Sequence, residues 1–223
     1  MSRWRARPGP PGWGDRSTER SVTHATAANP GRPAERDISR ALAALGPRKL
    51  VFVGLMGAGK SAIGRLVAQW LQVPFFDSDH EIERASRMSI SDLFAAYGEA
   101  EFRALEARVI RRLMKNGAGV VSTGGGAYMN EKNRRVIGDK GLAVWLDAEL
   151  DVLWERVSRR DNRPLLKTED PKGTLQTLME ARYPVYATAP LRVLSRDAPR
   201  ETIAGEVISA LAAVAAQDTG NVS

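Results

Sequence analysis

The stretch KLVFVGLMGAGKS, residues 49–61, decides the fold of this chain. An apolar run follows Lys49 and predicts a short buried strand. Residues 54–61 then match the pattern G-x-x-x-x-G-K-[ST], and a helical pattern begins directly after them. Glycines let such a loop curl until its amides point inward at phosphate oxygens, and the helix adds its positive N-terminal end. The stretch therefore predicts a phosphate-binding loop between a strand and a helix.

The loop assigns separate tasks to its residues. Lys60 is predicted to bridge the β- and γ-phosphates of ATP, and the Ser61 hydroxyl is predicted to be a Mg²⁺ ligand. The alternative is a glycine turn that binds nothing, which the flanking strand and helix disfavour. The residues predicted to hold the nucleotide are contiguous: Gly57, Ala58, Gly59, Lys60, Ser61 and Ala62.

Short β-rich runs alternate with helical sequence along the rest of the chain. In residues 60–72 the apolar side chains are spaced three and four residues apart, which predicts a helix. The same spacing predicts a long helix at about residues 99–116. Five strands separated by helices predict an α/β fold of three layers, a mostly parallel sheet with helices on both faces. Ligands of such folds bind beyond the carboxyl ends of the strands. The predicted strands are residues 49–53, 75–77, 120–122, 142–146 and 192–194.

The two ends of the chain differ from its middle in composition. Residues 1–36 are rich in Arg, Pro and Gly and have no apolar period, which predicts a disordered extension. A transit peptide is one alternative, although Asp15 and Glu19 argue against it; a bacterial extension or a start codon placed too early is the other. We expect one domain at residues 37–215 and a disordered tail at residues 216–223.

Charge and composition narrow the choice of partners. The chain has 223 residues and a net charge of +7, and the first 36 residues hold seven arginines against three acidic residues. A mildly basic domain that binds an anionic nucleotide needs no nucleic acid partner. There are no cysteines and no apolar run of the ~20 residues that span a bilayer. We expect a cytoplasmic protein with no membrane or nucleic acid partner, although the basic extension leaves a tether as an alternative.

Two carboxylates follow the second predicted strand, in the sequence FFDSD. Alternation in an extended segment sends Asp77 and Asp79 to the same side, beside the phosphate loop. One carboxylate can hold Mg²⁺ and another can accept a hydroxyl proton as the γ-phosphoryl leaves ATP. The alternative is structural: Asp77 ends the strand and Asp79 caps the next helix.

Glycines and arginines occupy further positions near strand ends. Gly124, Gly125 and Gly126 follow a strand directly, where they allow a ligand to approach the backbone. Arg103 lies next to the apolar Phe102 and can reach into a cleft, or it pairs in solvent with Glu99 or Glu106.

Two more arginines lie towards the C-terminal half. Arg163 opens a polar stretch at residues 162–173, which suits a mobile lid whose arginine neutralises charge on the transferred phosphoryl group. Arg182 lies at the end of a helical pattern that Pro184 is predicted to interrupt, so its side chain can turn toward the cleft.

Taken in order, these motifs resemble those of the shikimate kinase family. The series is GLMGAGKS, DSD, Phe102-Arg103-x-x-Glu106, GGG, RPLL and Arg182-x-x-x-Tyr186, and it covers about residues 49–208. The resemblance implies a P-loop NTPase fold with a mobile lid. It also implies ATP-dependent phosphorylation of the 3-hydroxyl of shikimate, a step of aromatic amino acid synthesis.

The resemblance also assigns roles at the acceptor end. Asp79 is expected to bind the substrate hydroxyls and to accept the proton, while Arg103 and Arg182 grip the carboxylate. The middle glycine, Gly125, is expected to contact ring hydroxyls, with Gly124 and Gly126 beside it.

At the nucleotide end the resemblance implies that Arg163 contacts ATP from the lid and that Asp77 serves Mg²⁺. The chain departs from the family at Ala62, where threonine is frequent; a side-chain contact to phosphate is lost there while the amide remains. The adenine-binding segment stays open, and its candidates are Arg159 or Arg160 and residues 195–199 with Arg196.

Rival functions remain at this stage. A gluconate-type or other hydroxy-acid kinase would suit the same arginines, a nucleoside monophosphate kinase lacks a motif for a second base, and a non-catalytic nucleotide-binding module would not need Asp79 or Arg163. We expect a monomer with shikimate as the substrate.

Overall fold

The computed structural model describes residues 31–159, 164–166 and 168–220, with backbone alone for residues 215–220. Two 3-10 turns, Ala127–Met129 and Pro164–Leu166, accompany the regular elements. In chain order these elements are α1 (Glu35–Leu45), β1 (Lys49–Val53), α2 (Lys60–Leu71), β2 (Phe75–Asp77), α3 (Ser78–Ser86), α4 (Ile90–Leu113), β3 (Gly119–Ser122), α5 (Glu131–Lys140), β4 (Gly141–Asp147), α6 (Leu150–Ser158), α7 (Pro171–Tyr186), β5 (Leu191–Leu194) and α8 (Arg200–Gly220).

The five strands form one sheet in the order β2-β3-β1-β4-β5. Every pairing is parallel, and β1 and β4 are buried along their whole length. The connection from β1 to β2 runs toward one edge of the sheet and that from β3 to β4 toward the other, so right-handed crossovers put α2 and α5 on opposite faces. The predicted α/β sheet is confirmed.

Helix α4 contains the helix predicted at about residues 99–116 and a further segment before it. It begins at Ile90 and is interrupted at Gly98, whose φ of 76° and ψ of 178° are non-helical, so residues 90–97 and 99–113 form two segments. The helix ends at Leu113 because Asn116 and Gly117 adopt φ of 63° and 67°. A left-handed Asn-Gly pair cannot continue a right-handed helix.

The helix α1 belongs to the packed structure and begins within the segment predicted as an extension. Its buried side chains Ile38, Ala41 and Leu45 join the hydrophobic core, and it packs against α8. A Cβ on Gly205 would lie 3.0 Å from the Gly31 carbonyl oxygen, so the glycine in α8 leaves room for the incoming chain. At the other end α8 is helical to Gly220, beyond residue 215, as its alanine-rich sequence favours. The proposed domain limits themselves remain predictions.

The sheet order determines where the predicted site residues meet. Strand β3 lies between β1 and β2, and Ser122 is in register with both Phe52 and Asp77. The segments that leave the carboxyl ends of these three strands are therefore neighbours. They are the phosphate loop, the Asp77–Asp79 turn and the three glycines. Among the described residues no helix combines the length and apolar character needed to cross a membrane.

Candidate active site

The phosphate loop connects the end of β1 to the first residue of α2, Lys60. Gly54 and Gly59 have φ of 135° and 89°, which residues with side chains rarely adopt. A Cβ on Gly54 would also lie 2.7 Å from the Leu146 carbonyl oxygen of β4. The Lys60 Nζ donates hydrogen bonds of 2.8 Å to the carbonyl oxygens of Gly54 and Leu55. The lysine is thus held inside the loop that it is predicted to serve.

Ser61 and Asp77 form an oxygen-rich pair beside the loop. The Ser61 Oγ donates to Asp77 Oδ2 at 2.6 Å and lies 3.0 Å from Ser122 Oγ. Asp77 Oδ1 accepts from the Asp79 amide at 3.1 Å, so Asp77 is the N-cap of α3. The structural alternative in which Asp79 caps this helix is therefore wrong, and Asp79 is left to face the cleft.

These oxygen atoms fit a magnesium ion. Among the described residues no group of three or more His, Cys, Asp or Glu side chains could hold a metal alone. Mg²⁺ in phosphoryl transfer sites needs no such cage, because one or two protein oxygens share it with phosphates and water. The Ser61 hydroxyl and the Asp77 carboxylate are donors of that kind.

The three glycines after β3 are surrounded by the predicted acceptor residues. A Cβ on Gly124 would lie 2.6 Å from Asp79 Oδ1. A Cβ on Gly126 would lie 2.5 Å from Arg103 Nη1, and one on Gly125 would lie 3.5 Å from Arg182 Nη1. The structure thus brings one carboxylate and two guanidinium groups, from three different helices, around one bare stretch of backbone.

Arg103 pairs with both glutamates that the sequence offered as alternatives. Its Nη1 donates to Glu106 Oε2 at 2.9 Å, and its Nη2 donates to Glu99 Oε1 at 3.1 Å. The pairing does not place it in open solvent, because its side chain is only 27% exposed and Gly126 lies against the guanidinium. The ion pairs therefore fix the orientation of a guanidinium group that lies beside the three glycines.

Glu106 is a site residue that the sequence offered only as a motif position and as a possible partner of Arg103. It is 1% exposed, and its Oε1 has no hydrogen-bond partner among the described residues. Burial raises the pKa of its carboxyl group, the ion pair with Arg103 opposes that shift, and the charge of Asp79 adds to it. A Cβ on Gly124 would lie 3.3 Å from Oε1. The signal available in the sequence was its spacing of three from Arg103, which puts both on one helix face.

Tyr186 supports the backbone of residues 124–126 through a hydrogen bond. It is fully buried at the end of α7, and its hydroxyl donates to the Gly125 carbonyl oxygen. Burial raises the pKa of Tyr186 to about 12, and the neighbouring Arg182 opposes this shift. Pro184 lies inside α7, which continues to Tyr186, so the predicted interruption of the helix is wrong. A proline near the end of a helix can be tolerated, because it removes only one backbone hydrogen bond from the helix.

Arg156 is a second residue that sequence reasoning missed. From α6 its Nη1 donates to the Gly57 carbonyl oxygen at 3.2 Å and to Ser195 Oγ at 2.9 Å, and its Nη2 donates to the Arg196 carbonyl oxygen at 2.7 Å. It therefore ties the phosphate loop to residues 195–199. No sequence feature separates Arg156 from its neighbour Arg159, because both lie on the same helical pattern.

The other nucleotide candidates are placed differently. Arg196 pairs through its guanidinium with Glu206 at 2.6 and 2.9 Å, and Arg159 pairs with Glu155 at 2.6 Å. Arg160 and Arg163 lie outside the described residues, as do residues 162 and 167 of the predicted lid.

One cleft of about 960 Å³ joins these parts. It runs past Lys60 and Ser61 to Asp79, Gly124 and Gly125, and its opposite end is lined by Arg156, Ser195, Asp197, Ala198 and Arg200. The cleft has a phosphate loop at its centre, a nucleotide-sized space on one side and the Asp79 carboxylate on the other. Arg103 and Arg182 lie beside the glycines at the Asp79 side. Together these groups define a P-loop phosphotransferase.

Comparisons with known proteins narrow this class. The shikimate kinase family model matches residues 56–212. A shikimate kinase of Rhizobium meliloti is 69% identical over 173 residues, covering 78% of this chain and 90% of that protein. One of Rhizobium leguminosarum bv. trifolii is 67% identical over 172 residues, covering 77% and 88%.

A solved structure agrees with these sequence relatives. The shikimate kinase from Acinetobacter baumannii in complex with shikimate superposes with a TM-score of 0.72 at 31% identity, covering 82% of this chain and 99% of that one. The chain belongs to the shikimate kinase family, and the resemblance found in its motifs is confirmed.

Proposed function

We propose that this protein transfers the γ-phosphoryl group of ATP to the 3-hydroxyl of shikimate, giving shikimate 3-phosphate and ADP in the synthesis of aromatic amino acids. The observation that carries this proposal is the meeting of Asp79, Arg103 and Arg182 around residues 124–126, beside the phosphate loop. Membership of the shikimate kinase family supports both the ATP and the acceptor.

At the nucleotide end, the amides of residues 57–62 hold the phosphates, and Lys60 balances the charge of the β- and γ-groups. Ser61 and Asp77 hold Mg²⁺, which neutralises phosphate charge when it is bound. Arg156, together with residues 195–199, borders the base and ribose. Arg163 contributes a further positive charge at the phosphoryl group, and Arg196 remains a candidate contact to the nucleotide.

At the acceptor end, two guanidinium groups grip the carboxylate of the substrate. Arg103 is oriented by Glu99 and Glu106, and Arg182 lies over Gly125. Bidentate contacts between Arg and a carboxylate are strong and directional, so they fix how the ring lies. Gly124, Gly125 and Gly126 leave room for the ring to approach the backbone.

Asp79 then accepts the proton of the attacking hydroxyl. Its carboxylate lies against Gly124 and lines the same cleft as Lys60 and Ser61. Because phosphoryl transfer needs little covalent help from a protein, positioning and charge stabilisation supply most of the rate enhancement.

The test is ATP consumption by the purified protein with and without shikimate, repeated with gluconate and other hydroxy acids. We expect turnover with shikimate that depends on Mg²⁺. Turnover of gluconate without turnover of shikimate would make the protein a different hydroxy-acid kinase. If calorimetry detects no heat of binding for Mg·ATP, the proposed nucleotide site is wrong and neither kinase activity is supported.

The setting of the enzyme follows from its substrates. We propose a cytoplasmic monomer that engages no nucleic acid or membrane, because both ATP and shikimate are small soluble anions. Sedimentation velocity at several concentrations tests the monomer, and cell fractionation tests the location.

A further inference from the structure

A second cleft lies outside the active site, between the end of α3 and the two segments of α4. We call it the α3–α4 cleft; its volume is about 540 Å³. Its apolar wall is formed by Met88, Leu93, Leu105 and Val109. Ligand pockets in proteins commonly have volumes of roughly 300–1,000 Å³ and mostly apolar walls. The cleft therefore has the size and wall of a small-molecule site.

The shape of the α3–α4 cleft follows from the break in α4 at Gly98. Leu93 and Tyr97 come from the segment before the break, and Leu105 and Val109 come from the segment after it. A Cβ on Gly98 would meet nothing within 4 Å, so the glycine is required by its backbone conformation and not by crowding. Tyr97 is 60% exposed at the edge of the cleft. The break thus presents an aromatic side chain beside an open apolar wall.

The charges at the edge of the cleft select the ligand. Arg108 and Arg112 both line it, one turn apart on the same helix. Arg112 is held by Glu81 at 2.8 Å, whereas Arg108 makes no ion pair or hydrogen bond with any residue that the structure describes. Glu101 lies at the other end of the same helix face. Guanidinium groups next to an apolar wall suit a carboxylate that carries an apolar group.

We propose that the α3–α4 cleft binds a small aromatic carboxylate, with the ring against Leu105 and Tyr97 and the carboxylate on Arg108 and Arg112. Burial of the ring supplies the affinity, and the arginines set its orientation. Nothing in the reaction at the other cleft requires this ligand, so it acts as an effector.

The effector has a direct mechanical path to the acceptor residues. Residues 99–113 carry Arg103 and Glu106 on one face, while Leu105 and Arg108 point to the α3–α4 cleft. A ligand that shifts residues 99–113 about Gly98 therefore moves Arg103 and Glu106. By linkage it changes the affinity for shikimate, and shikimate changes its affinity by the same factor. This coupling rests on the proposed function, whereas binding in the cleft does not.

The probe is 3-phenylpropionate, titrated calorimetrically into the full-length protein in the presence of saturating shikimate. Shikimate keeps the probe away from Arg103 and Arg182. We expect saturable binding with a Kd of about 1 mM or tighter, the range for about eleven ligand atoms at modest efficiency. 3-Phenyl-1-propanol, which lacks the carboxylate, and acetate, which lacks the ring, are expected to bind at least about 10-fold more weakly.

Matched variants locate the binding. Arg108→Gln is expected to weaken 3-phenylpropionate binding at least about 5-fold. Arg111→Gln removes an equal charge from an exposed position of the same helix outside the cleft and is expected to leave binding unchanged. Neither residue is in the catalytic machinery, so both variants keep wild-type turnover in the absence of the probe. If the wild-type protein shows no turnover without the probe, that result contradicts the proposed function and not the proposed binding in the α3–α4 cleft.

Several binding results would overturn the proposal. They are no saturable heat up to about 20 mM probe, equal affinity in Arg108→Gln, equal affinity for the alcohol, and binding that disappears when shikimate is added. Self-association that Arg108→Gln abolishes would also overturn it, because the cleft would then be covered by a second copy of the chain.

Discussion

The nucleotide end and the acceptor end of the active-site cleft are built in different ways. The phosphate loop is one contiguous stretch between β1 and α2. The acceptor end takes Asp79 from α3, Arg103 and Glu106 from α4, residues 124–126 from the loop after β3, and Arg182 from α7. The first depends on local backbone geometry, and the second depends on the order of the strands. A motif can therefore specify the loop completely, while only the whole fold specifies the acceptor end.

The two ends also differ in how their polar groups are satisfied. Lys60 is bonded to carbonyl oxygens of its own loop, and Ser61 is bonded to Asp77. Glu106, in contrast, keeps a buried oxygen with no hydrogen-bond partner among the described residues. Buried polar atoms without partners cost free energy, so the acceptor end is the part of the cleft that gains most from a bound ligand.

The largest expected effect is a loss of turnover on removal of one carboxylate at the acceptor end, with nucleotide binding at the other end unchanged. Asp79→Asn keeps the shape of the side chain but removes the proton acceptor. We expect turnover to fall by at least about 10²-fold while Mg·ATP binding changes by less than about 2-fold. A coupled assay and calorimetry measure the two quantities. Asp139→Asn, at an exposed position of α5, is the control. Near-normal turnover in Asp79→Asn would remove this residue from the mechanism.

The next prediction tests whether the acceptor end requires glycines, which have no side chain, at residues 124–126. In Gly126→Ala the new Cβ lies 2.5 Å from Arg103 Nη1, so the guanidinium must move, while the backbone φ of −91° accepts alanine. Losing charge-assisted hydrogen bonds to the substrate should raise the KM for shikimate about 10- to 100-fold. The KM for ATP should stay unchanged.

Gly138→Ala is the matched control for this substitution. A Cβ at that position of α5 would meet nothing within 4 Å, so both kinetic constants should stay at their wild-type values. An unchanged KM for shikimate in Gly126→Ala would show that Arg103 does not grip the substrate.

A smaller effect tests the link between the phosphate loop and residues 195–199. Arg156→Gln loses most of the three hydrogen bonds that join them. We expect the KM for ATP to rise about 5- to 10-fold, because a typical hydrogen bond contributes about 1 kcal/mol. The KM for shikimate should not change. Arg159→Gln is the comparison, since its partner Glu155 is on the surface; a larger effect there would make Arg159 the nucleotide contact.

The smallest effect concerns the support beneath the acceptor end. Burial raises the pKa of Tyr186 to about 12, whereas an unfolded tyrosine ionises near pH 10. The folded state therefore keeps a proton that the unfolded state releases, and stability is complete below pH 10 and lost as the pH rises toward 12. At about pH 10.5 the loss is about 1 kcal/mol.

Urea denaturation at about pH 9 and about pH 10.5 measures this loss. Tyr186→Phe should be less stable than the wild type at the lower pH but should lose less stability between the two. The remaining slope in the variant reports Tyr183, whose pKa burial also raises to about 12. Equal slopes in both proteins would contradict the assignment to Tyr186.

Sequence patterns specified the fold well where the signals are local. The loop at residues 54–61 and all five strands were predicted to within a residue or two, because apolar runs and glycines act over short distances. The helix predicted at about residues 99–116 begins directly after the break at Gly98, but the helical segment at residues 90–97 was missed. The helix α1 was not predicted, because its apolar stripe is short and follows directly on a basic segment.

The candidate site was predicted in its charged residues but not in the residues that hold them. Asp79, Arg103 and Arg182 were chosen from motifs, and the structure brings them together. Glu106 and Arg156 were not given such roles, because the burial of a carboxylate and the reach of an arginine across 39 residues to Ser195 depend on tertiary packing. Neither property leaves a signature in the nearby sequence.

The packing of α1 on α8 determines which recombinant fragments of this protein can fold. The family match starts at residue 56, yet the central strand Lys49–Val53 and the helix Glu35–Leu45 precede it. A fragment trimmed to residues 56–212 would open the middle of the sheet and strip the apolar cover from α8. A recombinant fragment should therefore begin no later than residue 31, the first described residue, which already contacts α8.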